Sequence, residues 1–169
     1  MVAEEVPFWR KCELAWADYL RSSGQLVTLL ADANGRSAPL LFGDVQYRAP
    51  DIMAVTGGRS IYWEVKQRHG ASINLVTGDA EYWVSYDSFI EYFHIARLTG
   101  IPVEVILHDG EVWKENHKWL QADVTTLFAN GERGKRRTSD GSEIEAWVWP
   151  ARAMRLVDGP EVEREPGRG

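Results

Sequence analysis

The chain has 169 residues, 44% of them apolar and 26% charged, which are ordinary proportions for one soluble globular domain. A formal net charge of −6 excludes a strongly basic nucleic-acid coat protein, and the single cysteine, Cys12, excludes an internal disulfide. No apolar run reaches the length of a membrane span, and the N-terminus MVAEEVPFWR has acids where a signal peptide has bases; the expected location is the cytoplasm, with no membrane partner.

Taken in chain order, Pro7 to Ser22 reads as a helix. Pro7 suits a first helical position, Trp9, Cys12, Trp16, Tyr19 and Leu20 recur at helical spacing, and Gly24 is a stop signal. Gln25 to Ala31 reads as a strand and Asp32 to Pro39 as a loop. Leu40 to Tyr47 is a strand candidate interrupted by Gly43 and Asp44. Asp51 to Val55 and Ser60 to Lys66 are strands joined by the turn Thr56-Gly57-Gly58-Arg59. A polar loop spans His69 to Asp79, and a helix spans Asp87 to Thr99, with Asp87 as its expected cap and Gly100 as its end. Val103 to Leu107 is a buried-type strand, followed by a turn at His108-Asp109-Gly110 and a short strand around Val112. A short helix is expected from Ala122 to Ala129, an exposed loop from Asn130 to Gly141 and a last strand from Ile144 to Trp149. Residues 1–157 thus read as a single domain of mixed α/β (α+β) class, a sheet backed by helices, and residues 158–169 as a disordered tail.

The chemistry concentrates in APDIMAVTGGRSIYWEVKQR, Ala49 to Arg68. Side chains alternate along a strand, so Tyr62, Glu64 and Lys66 share one face and Ile61, Trp63 and Val65 the other. The short turn folds Asp51 back beside Glu64. Two converging carboxylates make a hard oxygen site for Mg²⁺ or Mn²⁺. A neighbouring ammonium can orient a water and offset charge on a reacting phosphate. On the first helix, Trp9, Glu13, Trp16 and Leu20 follow the i, i+4, i+7, i+11 rule, which puts Glu13 on the inward stripe. A carboxylate there needs a partner.

Pro50-Asp51, a gap of twelve residues and then Glu64-Val65-Lys66 resembles the signature of the PD-(D/E)XK nuclease superfamily. Gln67 directly after the lysine is similar to a subset that includes archaeal Holliday-junction resolvases, and CELAWADYLRSSG resembles the helix that opens resolvase-like members. The resemblance covers roughly Phe8 to Leu107. It implies a restriction-endonuclease-like α-β-β-β-α-β core with a central mixed sheet flanked by helices. It implies a magnesium- or manganese-dependent nuclease, cutting within or from the end of a strand, that acts on DNA in restriction, repair, recombination or defence. Carried over by position, Asp51, Glu64 and the carbonyl of Val65 match the metal ligands, Lys66 matches the residue that positions the attacking water, and Glu13 and Gln67 match accessory positions, Glu13 being the first-helix acid that faces the metal and counts among its ligands.

Plainer readings exist for each of these residues. Glu64 and Lys66 alone would be a solvated strand face, and Glu13 could pair with Arg10 or Lys11 at the helix edge. Arg133, Lys135, Arg136 and Arg137 form a basic cluster that either tracks a phosphate backbone or is a solvated loop; Arg68 and His69 are better placed to touch a scissile strand. Tyr82 and Trp83 read as core staples rather than base-stacking platforms, and the four histidines show no metal-ligand spacing. The leading expectation is a metal-dependent deoxyribonuclease selective for DNA structure such as branches. Its specificity would come from a homodimer or a partner protein, since no recognition domain is visible. The competing reading is a catalytically silent nucleic-acid-binding or assembly module on the same fold. A hydrolase of small phosphoesters is a third.

Overall fold

The computed structural model of the protein describes residues 6–110 and 117–162. In chain order its elements are α1 (Phe8–Ser22), β1 (Leu26–Leu29), β2 (Pro39–Phe42), β3 (Val45–Arg48), β4 (Ile52–Thr56), β5 (Arg59–Arg68), β6 (Ser72–Ile73), β7 (Ala80–Ser85), α2 (Tyr86–Thr99), β8 (Val103–Asp109), β9 (Lys118–Asp123), α3 (Val124–Asn130), β10 (Glu132–Arg137), β11 (Glu143–Pro150) and β12 (Arg155–Val157).

Six strands form a central mixed sheet in the order β1-β4-β5-β8-β9-β12. Its neighbours are antiparallel except β5 and β8, which run parallel. Parallel neighbours need a crossover, and α2 lies on the connection that makes it. The expected run of helix, three strands, helix and strand is therefore present as α1, β1, β4, β5, α2 and β8, with the hairpin β2–β3 inserted ahead of β4. A second, antiparallel sheet has the order β10-β11-β7-β6.

Strand alternation gives the central sheet two apolar faces. Trp63 and Val65 of β5, with Ile52, Ala54 and Ile106, pack under Cys12, Trp16, Ala17 and Leu20 of α1. Tyr62, Val103, Val105 and Leu107 pack on the opposite face against Phe89 and Ile95 of α2, Leu127 of α3, and Tyr82 and Trp149 of the second sheet. Helices and the second sheet thus cover both faces. The inward stripe of α1 is Cys12, Glu13, Trp16, Ala17 and Leu20, whereas Trp9 and Tyr19, expected on it, lie at the exposed edges.

Several local expectations change. The cap of α2 is Ser85, and Asp87 sits in the first turn; Gly100 ends the helix in the left-handed conformation, φ 67°. His108 and Asp109 continue β8 instead of turning, because both have partners on β5 and β9. The loop expected from Asn130 to Gly141 contains β10, whose Arg133 and Lys135 pair with Glu145 and Glu143 across β11. Such a charged edge strand resists edge-to-edge pairing. The hairpin β2–β3 replaces the single strand expected from Leu40 to Tyr47. The strand expected around Val112 lies outside the described residues. Of the tail expected to be disordered, Pro160 accepts a hydrogen bond from Trp119 Nε1 at 3.0 Å and Val162 packs on the α1-side core, while residues 163–169 lie outside the described ones.

Candidate functional site

The site forms where the sheet splits. Strand β4 pairs with β5 from Thr56↔Arg59 to Ile52↔Trp63 and then stops, while β5 runs on to Arg68 beside β8 alone. Asp51 stands at the split. Its Oδ2 accepts a hydrogen bond from the Val65 N–H at 2.8 Å, replacing the next rung of the ladder. The N–H and C=O of one strand residue point to the same edge, so the Val65 carbonyl also opens toward Asp51.

Glu64 and Lys66 occupy the face of β5 that looks toward α2, as their spacing requires. Lys66 Nζ donates to Glu64 Oε1, and the Tyr92 hydroxyl donates to the same oxygen at 2.7 Å. Glu64 is buried, and its other oxygen, Oε2, is buried with no partner among the described residues. A bare carboxylate oxygen in that environment is costly unless a donor or a cation meets it. Glu13 approaches from α1. It is buried at 5% exposure and bonded to Arg10, itself buried and reaching the Ala31 carbonyl at 3.3 Å. The helix-edge pairing of Glu13 with Arg10 is therefore realised, and it coexists with the inward position.

These groups lie close enough to share one electrostatic field. Burial pushes the Asp51 carboxyl well above the usual carboxylate range, and the charges of Glu64 and Glu13 add to the shift. Glu13 is also raised by burial, against the pull of Arg10, and it feels both Glu64 and Lys66. Burial alone would lower Lys66, but the charges of Glu64 and Asp51 outweigh it and leave the ammonium above its usual value. Tyr92 is raised well above the phenol range by burial and then by Glu64, so it stays a donor.

Glu13, Asp51, Glu64, Lys66, Arg68 and Tyr92 line one cavity of about 330 Å³. Its mouth is framed by Trp9, whose indole lies against Gly35. A Cβ on Gly35 would come within 2.5 Å of that ring, and its φ of 72° independently favours glycine. Arg48 closes another side through Glu91, at 3.3 Å, and Ser88, at 2.9 Å. Among the described residues no three His, Cys, Asp or Glu side chains converge as a ready metal cage. The donors that do fit a hard divalent ion are Asp51, the bare Oε2 of Glu64 and the Val65 carbonyl, with water completing the shell, as Mg²⁺ commonly keeps several waters.

The remaining candidates lie farther out. Alternation puts Gln67 on the α1 side, one residue off the Glu64–Lys66 face. It still lines the cavity, and its amide lies 3.4 Å from His69 Nδ1. His69 is exposed. Arg133, Lys135 and Arg136 are held by Glu145, Glu143 and Glu81, so much of that cluster's charge is neutralised. Arg137 sits at the end of the same strand. Sequence reasoning missed Tyr92, whose one legible sign was its place one helical turn from Phe89 on the buried stripe of α2.

No protein-family model and no curated protein matches the chain. Among solved structures, Hjc of Archaeoglobus fulgidus, a Holliday junction resolvase from an archaeal hyperthermophile, is similar at 17% identity, covering 79% of this chain and 76% of that one with a TM-score of 0.45. A likeness that distant assigns no residue a role.

Proposed function

We propose that the protein is a metal-dependent nuclease of PD-(D/E)XK type that hydrolyses DNA phosphodiester bonds, with Asp51, Glu64 and the Val65 carbonyl holding Mg²⁺ or Mn²⁺. The observation that carries this reading is the buried, unpartnered Oε2 of Glu64, in a cavity shared with Asp51 and Lys66. A divalent cation there would supply Lewis-acid charge to the phosphate and make a bound water more acidic.

The chain's own groups do the rest. Tyr92 and Lys66 both bond Oε1 of Glu64, which leaves Oε2 as the ligand atom. Asp51 is fixed by the Val65 N–H, so its second oxygen is available. Lys66 has a raised pKa and remains an ammonium at neutral pH. It therefore acts as a donor that positions the attacking water and offsets charge on the pentavalent phosphorus, not as the base. Glu13, neutralised by Arg10, and Gln67 are accessory, orienting water at the rim. Selectivity for branched DNA, and a second copy or a partner protein that supplies it, belong to the same reading. Among the described residues no helix is long and apolar enough to cross a membrane.

The test is cleavage of duplex, single-stranded and four-way-junction DNA with Mg²⁺ or Mn²⁺, and with EDTA as control. Wild-type protein should cut only with metal, and Asp51→Ala and Lys66→Ala should not cut. Variants as active as wild type would show that the chemistry lies elsewhere. A wild type that binds Mn²⁺ nowhere would favour the silent module.

A further inference from the structure

Arg68 differs from the other arginines that the fold encloses. Arg10 and Arg136 each face a carboxylate, on Glu13 and Glu81. Arg68 has none. Its Nη1 donates to the Gln67 carbonyl and its Nη2 to the Trp83 carbonyl, each at 2.8 Å, and the guanidinium lies 5.1 Å from the centre of the Trp83 ring. Its Nε–H is buried and meets no acceptor. Burial lowers its pKa with no carboxylate to offset the effect, yet a guanidinium stays charged. A fixed, half-buried and uncompensated cation is what an anion site requires.

Its position says which anion. Glu64, Lys66 and Arg68 stand at alternate positions of β5 and share one face. The packing agrees: Lys66 lies over Tyr92, Arg68 lies over Trp83, both line the same cavity, and the charge of Arg68 is felt at Lys66. The same-face repeat of a strand is about 6.7 Å. That is close to the step between successive phosphates of an extended polynucleotide backbone.

We propose that Arg68 holds the phosphate next to the scissile one, so that β5 presents successive phosphates of a single DNA strand to Lys66 and Arg68. This rests on the nuclease reading and deepens it: the site is built for a strand carrying adjacent phosphates, not for a small phosphoester. Trp83 and the two carbonyls preorganise the fork, which keeps the ordering penalty on binding low.

The test is fluorescence anisotropy of a labelled oligothymidylate with the full chain, in Ca²⁺ and over a series of salt concentrations. One lost phosphate contact lowers the salt slope by about 0.7 for a single strand and weakens binding about tenfold. Arg68→Gln should show both effects, and Arg68→Lys, which keeps the charge but not the fork, should keep the wild-type slope with weaker affinity. Thermal melts establish that both variants fold; if Arg68→Gln does not, the Lys variant and wild type with one neutral methylphosphonate linkage replace it. That linkage should cost wild type about tenfold at one position. An unchanged slope in Arg68→Gln, or no linkage position that matters, overturns the proposal. A lowered slope in Arg68→Gln with no cleavage by wild type sinks the hydrolytic reading and leaves only the contact of Arg68 with a strand phosphate standing. Cleavage with an unchanged slope in Arg68→Gln does the reverse, and inorganic phosphate binding without strand binding overturns both.

Discussion

The hydroxyl of Tyr92 on α2 donates to Oε1 of Glu64 on β5 at 2.7 Å, the same oxygen that Lys66 approaches, and Oε2 is left bare and buried. One helix thus decides which oxygen of a strand carboxylate is available to a cation. Tyr92→Phe removes the donor and keeps the ring. Oε1 then competes for the cation and Glu64 gains freedom. Mn²⁺ affinity should fall about tenfold, the expected size for losing a partner that orients a ligand. Isothermal titration checks it; unchanged affinity would mean that Lys66 alone sets Glu64.

With Asp51 as the proposed cation ligand, metal-free stability and metal binding should respond oppositely to pH. Its folded pKa is raised by burial and by Glu64, so ionising it costs stability when no cation is present. The stability linked to its neutral form is fully present below the unfolded value, about 3.9, and is lost as pH rises through the folded pKa. In EDTA, Asp51→Asn should therefore melt above wild type at pH 8, by roughly 2–4 °C for each kcal/mol recovered, and the gap should close as the pH falls. In excess Mn²⁺ the order inverts, because only the carboxylate binds. Wild-type Mn²⁺ affinity should fall about tenfold per pH unit below that folded pKa. Melting curves at several pH values, with and without metal, test both halves.

Arg10 and Glu13 form a buried pair, and removing one partner strands the other. Arg10→Met should cost about 3 kcal/mol at neutral pH, or roughly 10 °C in melting temperature. The loss should shrink as pH falls, because burial has already raised the Glu13 pKa and protonation relieves it. The double variant Arg10→Met, Glu13→Gln should regain most of the loss. Additive losses would show that the two residues are not coupled.

Lys66→Met leaves a similar volume and no charge. Cleavage should fall by about 10²–10³-fold, the scale of losing one donor to developing charge. DNA binding in Ca²⁺ should fall by no more than about tenfold. A single-turnover assay beside an anisotropy titration separates the two; equal losses would make Lys66 a binding residue only.

Much of this was legible in the sequence because it rests on period. Glu64 and Lys66 fall on one face by alternation, and the buried strand Val103 to Leu107 and the stop at Gly100 are local signals. What the sequence hid depends on long-range partners. Tyr82 and Trp83 form part of β7 because β11 pairs with them from more than sixty positions away. The charged run from Glu132 to Arg137 has the composition of a loop, and only the acids of β11 opposite make it a strand. Tyr92 enters the site because β5 and α2 pack face to face, which no spacing within either segment reveals.

The split between β4 and β5 gives the twelve-residue gap between Asp51 and Glu64 a meaning as a rule of parity. The gap is a hairpin: five paired rungs, Ile52↔Trp63 to Thr56↔Arg59, closed by Gly57 and Gly58 at φ 54° and 76°. Lengthening it by a whole rung adds a residue to each arm and returns Glu64 to the same face beside Asp51. A single residue inserted within β5 between the turn and Glu64, unless bulged out, turns every side chain beyond it over, sending Glu64 and Lys66 under α1 and Val65 into the cleft. Lengthening the hairpin by whole rungs therefore keeps Asp51 opposite Glu64, whereas an odd insertion within the paired part of β5 separates them without altering either side chain.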